Sequence, residues 1–447
     1  ESMLREKTDS LAAWLEQRER RADPYQLTHE IDSILAGNTV TDTLLLSDAL
    51  YFTGVHYYQS NLYVKALALF SRSVLYREKL AIADRRYANG LVNMAVSLLR
   101  SGDYPGAYQL GLKAMDARRS LPGSDSSGLA INYLNLASIC LELDDNNQAV
   151  SLAEAGLAIA TKYPGSVQPR VSADLYHIIG LSLYRTQEYN KSLVYCREAL
   201  RMFERDQSAG ADSRILLLNT ISQVYRRLGQ KKEAEDSFRR GLEVEGERNT
   251  QDKFLLYINY SNFLGQEGRF REGEKLLEEG LDKVKGIYGP GSREYFMMLV
   301  SFADFVNSSQ GGTERSLALY EKCFSYVRAN PWDDSMTEFL VGKYARSLLN
   351  AGKYAEVLKL TDEVDSLAGT RSSVKGEREP VNGSAGTPAG FSEDELNILE
   401  YKYSALDALA DADGNSRYDL QAVATGRMIA SLYDRQRLEL SEDESRT

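Results

Sequence analysis

Three histidines, three cysteines and scattered carboxylates are the whole stock from which this chain of 447 residues could build a reacting centre. His29, His56 and His177 stand far apart, and no cysteine or serine has a histidine near enough to activate it. Cys140, Cys196 and Cys323 lie on apolar helical faces without paired spacing, so they read as small buried hydrophobes in a reducing compartment. The histidines read as packed or groove-lining residues. Gly286–Gly291 (GIYGPG) spaces its glycines like a dinucleotide loop, but no strand precedes it. Asp411-x-Asp413-x-Asn415 begins like a calcium loop; Gly414 then falls before the last ligand position, and no Glu stands at the twelfth. Carboxylate pairs such as Asp144-Asp145 and Glu278-Glu279 read as solvated surface. No catalytic residue, metal or cofactor is expected, and the chain by itself is not expected to be an enzyme.

The chemistry that remains is hydrogen bonding. Tyr58, Asn93, Asn135, Tyr184, Gln223, Arg226, Asn259, Asn262, Asp304, Asn307 and Arg346 recur at the same few registers of successive helices, with Arg100, Arg185 and Arg227 beside them. An Asn side chain offers a donor and an acceptor, so a ladder of them can pair with the backbone of an extended peptide. Arginines add two-pronged capture of a carboxylate. The alternative is that the same amides tie helices to each other.

The elements that must hold this ladder are short amphipathic helices. Leu91–Met115 reads as two of them joined at Ser101-Gly102-Asp103, with Ala95 on the first and Ala107 twelve positions later on the second. Helices approach closely only where side chains are small, so the two alanines mark the crossing of a hairpin. Neither helix is stable alone, and the unit must stack on copies of itself. Copies stand at Gly54, Ala95, Ala137, Gly180, Ser222, Ser261, Ala303 and Ala345, in steps of 39 to 43 residues. Twelve residues after the first six come Ala66, Ala107, Ala149, Ser192, Ala234 and Gly273; the seventh copy slips by one to Ser316 and the eighth has Val357. The slip coincides with a longer turn, Asn307–Thr313.

Small-x11-small within a repeated helical hairpin resembles the tetratricopeptide repeat, which implies an all-α, right-handed superhelical solenoid. The family's usual period is about 34 residues. The longer period here resembles the subclass of kinesin light chains and of the repeat arms of bacterial caspase-like CHAT proteases. Val92-Asn93-Met94-Ala95, Leu134-Asn135-Leu136-Ala137, Ile258-Asn259-Tyr260-Ser261 and the Gly-Pro turn Tyr288-Gly289-Pro290-Gly291-Ser292 carry that likeness. In a stacked array the first helices line the concave face, and positions −2, +1 and +4 from the small residue point into it. The ladder residues occupy these positions.

Four regions are expected. Residues 1–38 are an irregular helical cap, with Leu4, Leu11, Trp14 and Leu15 on one stripe. Residues 39–368 hold eight hairpins. Residues 369–391, rich in Gly, Ser, Pro and charge, form a disordered insertion. Residues 392–447 form a last hairpin, opened by Ser392 and Glu395 at capping-box spacing, with a long final helix from Tyr418. The closing stretch from Ser431 is similar to the connector between the repeats and the protease of CHAT proteins. That likeness implies an excised arm with a catalytic domain following in cis, and Glu1-Ser2 reads as a cloning remnant.

A net charge of −11 speaks against non-specific nucleic-acid binding, which needs a basic surface. No apolar run approaches the roughly 20 residues of a membrane span, and the N-terminus lacks a signal pattern. A cytoplasmic module with a protein or peptide partner is expected. Its sharper form is the sensor or substrate-recognition arm of a CHAT-protease-like effector; the alternative is a free-standing adaptor of kinesin-light-chain type.

Overall fold

The computed structural model describes residues 43–60, 62–121, 125–205, 211–244, 251–329, 334–375 and 400–409, with isolated helical positions between 418 and 429. Among them every regular element is a helix. The chain divides into two compact units, Glu1–Glu247 and Arg248–Thr447. The expected N-terminal cap, the Ser392 capping box, the Asp411–Asn415 segment and the terminal helix beyond position 429 lie outside the described residues, as does His29.

Unit 1 contains five hairpins: α1 (Thr43–Gln59) with α2 (Tyr63–Lys79), α3 (Arg85–Ser101) with α4 (Tyr104–Arg119), α5 (Ser126–Glu142) with α6 (Asn146–Lys162), α7 (Pro169–Arg185) with α8 (Tyr189–Arg205), and α9 (Ala211–Arg227) with α10 (Lys231–Glu243). Unit 2 contains α11 (Gln251–Gln266) with α12 (Phe270–Tyr288), α13 (Arg293–Ser308) with α14 (Thr313–Ala329), and α15 (Asp334–Asn350) with α16 (Tyr354–Lys375). The last helix runs on into the Gly-rich stretch that begins at Gly369. Residues 400–409 are helical as well.

The small positions are where the sequence places them, at the crossings. Ala66, Ala107, Ala137, Ala149, Ser192, Ser222, Ala234, Ser261, Ala303, Ser316, Ala345 and Val357 are wholly buried, and Ala95 nearly so. A Cβ on Gly54 would meet the Phe70 ring at 2.7 Å. One on Gly180 would collide with Cys196 Sγ, while the Ser192 hydroxyl donates to the Gly180 carbonyl at 2.6 Å. At these two crossings the close approach excludes even a methyl group.

Seven residues after the small position the chain reverses through a left-handed backbone conformation. Gly102 (φ 86°), Gly229 (72°), Gly268 (77°) and Gly352 (72°) adopt it readily, whereas Asp144 (58°) and Gln187 (66°) carry a side chain in the same place. In the α13–α14 bend the left-handed residue is Gly311, one position late. The register slip at Ser316 is absorbed there.

Consecutive helices pack along each unit. First helices also touch the next first helix (α1 with α3, α3 with α5, α5 with α7, α7 with α9; α11 with α13, α13 with α15), and among the described residues the second helices make no comparable contact with each other. The first helices therefore line the inner side of each stack. One apolar cluster runs through unit 1 from Tyr108 in α4 to Tyr195 in α8.

Two junctions in unit 1 share a device absent from the sequence reading. Arg77, 1% exposed, bridges Asp48 of α1 and Asp84, the N-cap of α3, at 2.5 Å to the latter. Arg118 repeats it one hairpin later, reaching Asn89 Oδ1 and Asp125 Oδ2 at 2.5 Å each. Both capping aspartates also accept a backbone N–H, from Tyr87 at 2.8 Å and Gly128 at 3.3 Å. Each guanidinium thus fixes where the next first helix begins.

Candidate peptide-binding surface

The inner face of unit 1 is built from the first helices, and the ladder residues on it are half-buried or exposed. Asn93 donates from Nδ2 to the Tyr51 hydroxyl of the preceding hairpin at 3.4 Å. Asn135, in the equivalent position of α5, has no side-chain hydrogen-bond partner among the described residues. Tyr58 packs edge-on against Tyr63 at 5.4 Å, and Tyr184 packs at a tilt against Tyr189 at 5.8 Å. Arg226 Nε donates to Gln223 Oε1 at 2.9 Å. Arg227 hydrogen-bonds Tyr184, which raises its pKa further. Arg185 donates to the Leu141 carbonyl at the end of α5 and lies 3.9 Å from Asp144. Arg100 is exposed at the rim.

His177 and Thr220 belong to the same face but not to the predicted set. The His177 Nε2 and Thr220 Oγ1 atoms are 2.9 Å apart, linking α7 to α9. Burial pushes the imidazole pKa down to about 4, so the ring is neutral at physiological pH. The signal for it was available, since His177 and Thr220 stand at positions −3 and −2 of neighbouring copies.

In unit 2 three of these residues, Asp304, Asn307 and Arg346, are engaged internally. Asn307 Oδ1 accepts from Ser316 and from Ser347, both at 3.1 Å, joining three helices. Asp304 accepts from Tyr320 at 2.5 Å and from Lys343 at 2.6 Å. Burial, followed by the Asp304 carboxylate, pushes the Tyr320 phenol up. Arg346 donates twice to the Tyr401 hydroxyl, at 3.0 and 2.7 Å. Asn259 is half-buried and Asn262 exposed on α11. The cysteines are free and buried, as their apolar surroundings implied. Burial raises the Cys196 thiol to about 12 and the Cys140 thiol to about 11.

The tetratricopeptide family model matches residues 86–162 and 171–244, two pairs of hairpins in unit 1. These stretches carry tetratricopeptide repeats. No curated protein matches the chain. Among solved structures, the apo quorum sensor NprR from B. thuringiensis is similar at 12% identity with a TM-score of 0.52, over 82% of this chain and 99% of that one. A Rap protein complexed with competence and sporulation factor shares 14% identity at a TM-score of 0.51, over 85% and 100%. BtubC (BKLC) from P. vanneervenii shares 20% identity at a TM-score of 0.42, over 49% and 89%. At such identities the likeness is one of fold: an α-solenoid of tetratricopeptide-type hairpins.

Proposed function

We propose that this chain is a non-catalytic protein-interaction module that holds an extended polypeptide segment against the inner face of unit 1. One observation carries the reading. At the inward register of α5 the Asn135 amide is half-buried and has no side-chain hydrogen-bond partner among the described residues, between Asn93 of α3, whose contact to Tyr51 is a long 3.4 Å, and the exposed Arg185 of α7. Amides spaced one hairpin apart suit the backbone of an extended chain. Arg100, Arg185 and Arg227 at the rim suit acidic side chains or a terminal carboxylate. The Rap neighbour complexed with competence and sporulation factor supports the general use of such a fold as a holder of other molecules. On this reading the module works in the cytoplasm. The sharper assignment, a recognition arm of a CHAT-protease-like effector rather than an adaptor of kinesin-light-chain type, rests on the sequence resemblance and is decided by what the gene encodes on either side.

The test is site-specific photocross-linking. A benzophenone amino acid at Asn135 or Gln223 is expected to capture a partner, and the same group at Gln109, exposed on the outer helix α4, is not. Asn135→Ala with Gln223→Ala then weakens the captured partner by about tenfold, the loss of one or two hydrogen bonds. Equal capture from the outer helix would remove the reading.

A further inference from the structure

The outer helix α2 carries an apolar stripe that faces solvent. Ala66, Phe70, Ser73 and Arg77 form its buried side. Val64, Ala68, Ser71 and Leu75 lie on the opposite side, within about 60° of arc at 3.6 residues per turn. Val64 is 71% and Leu75 47% exposed, and Ala68 between them is exposed as well. The Ser71 hydroxyl donates to the Leu67 carbonyl at 2.8 Å, which satisfies it within its own helix. The repeat supplies its own comparison. The positions of Val64 and Leu75 are held by Asn190 and Arg201 in α8, by Lys232 and Glu243 in α10, and by Arg271 and Asp282 in α12. Val194 of α8 is exposed too, at 66%, but stands alone among Asn190, Arg197 and Arg201. A lone exposed apolar side chain is ordinary surface, whereas a row spaced by four, three and four residues is the d–a–d–a seam of a two-helix coiled coil.

A second row runs beside the seam. Lys65, Arg72 and Lys79 follow at intervals of seven, the e positions of that heptad, and all three are exposed. None of them forms an ion pair with a described residue; Lys65 and Lys79 lie 5.4 and 5.7 Å from the centres of the Tyr57 and Tyr76 rings. The one acidic residue of α2, Glu78, accepts from Lys113 of α4 at 2.8 Å and from Tyr87 at 3.0 Å, so it is turned toward the next hairpin. In a chain of net charge −11, a row of one sign in register with an apolar seam specifies the sign of the helix that would pair with it.

We propose that this face of α2 docks an amphipathic helix of another protein, with apolar side chains at its a and d positions and Glu or Asp along the flank that meets Lys65, Arg72 and Lys79. A second copy of α2 does not fit that description. Paired antiparallel, it sets the basic row against itself; paired parallel, it sets the row against Leu67 and the buried Val74, and neither arrangement supplies a row of acids. Residues 4–21 of this chain carry more cations than anions and do not complement the row either.

The test is fluorescence anisotropy of the full chain with a labelled synthetic peptide of about three heptads, Leu at a and d and Glu at e and g, and with the same peptide carrying Lys in place of Glu. Saturable binding of the acidic peptide that weakens as salt rises is expected, with the basic peptide about tenfold weaker or more. Lys65→Glu with Arg72→Glu and Lys79→Glu reverses that order, and Val64→Ser with Leu75→Ser weakens the acidic peptide by about tenfold. All five positions are exposed, and thermal melts show that the variants remain folded. Absence of saturable binding, equal binding of the two peptides, or an unchanged preference after charge reversal overturns the proposal. So does any result that gives the face to a different occupant: a sedimenting dimer abolished by Val64→Ser with Leu75→Ser, retention on phosphatidylserine vesicles that the acidic peptide does not displace, or a benzophenone at Ala68 that cross-links to residues 1–21.

Discussion

Arg118 shows how much one side chain can organise. It is 6% exposed, yet it is charged and joins the first helix of its own hairpin to the cap of the next through Asn89 and Asp125. Removing it leaves the Asp125 carboxylate, itself only 11% exposed, with no cation nearer than the solvent-exposed Arg85 at 3.8 Å. Arg118→Ala is therefore expected to cost about 3–5 kcal/mol, read as a lower urea midpoint. Arg118→Lys should recover little, because one ammonium cannot span two acceptors as a planar fork does. His177 yields a prediction with a sign. Its folded pKa of about 4 lies below the ordinary 6.5, so the neutral ring's contribution is complete above about pH 6.5 and falls away as pH drops toward 4. Between pH 7 and pH 5 the parent should lose up to about 2 kcal/mol more than His177→Phe, as measured by urea unfolding at each pH.

At the scale of the helix and its turn, the architecture was legible because it rests on steric exclusion, which leaves a mark in residue size. Ala95 and Ala107, or Gly180 and Ser192, could be named from spacing alone since nothing bigger fits. Turns were clear where glycine takes the left-handed position and less so at Asp144 and Gln187. That difference can be tested. Gln187→Gly relieves a strained backbone and should stabilise by about 0.5–1 kcal/mol, while Gly229→Ala should destabilise by about 1 kcal/mol, both visible as opposite shifts in thermal midpoint. The inward ladder was legible in position but not in role. Register says that Asn307 and Asp304 face inward; only the fold brings Ser347 and Lys343 to them from the next hairpin. The two arginine bridges did have a sequence trace, the spacing Arg77…Asp84 repeated as Arg118…Asp125.

Across each unit as a whole, stability is a sum of hairpins and their junctions, since a hairpin packs only on its neighbours. Amide exchange should follow that rule. Within unit 1, protection is expected to peak in α5–α7, at the centre of the apolar cluster, and to decline toward α1, as hydrogen–deuterium exchange would map. Asn135→Ala and Gln223→Ala touch none of the buried crossings, so each should leave the urea midpoint within about 0.5 kcal/mol of the parent while acting on partner capture.

The bend at Gly311 has a further consequence. An added residue there is swallowed within one loop, and Ser316 still reaches a fully buried crossing. Length errors at such corners do not accumulate downstream. The array therefore behaves as a string of interchangeable cassettes, in which lineages can gain, drop or lengthen one hairpin without re-engineering the rest.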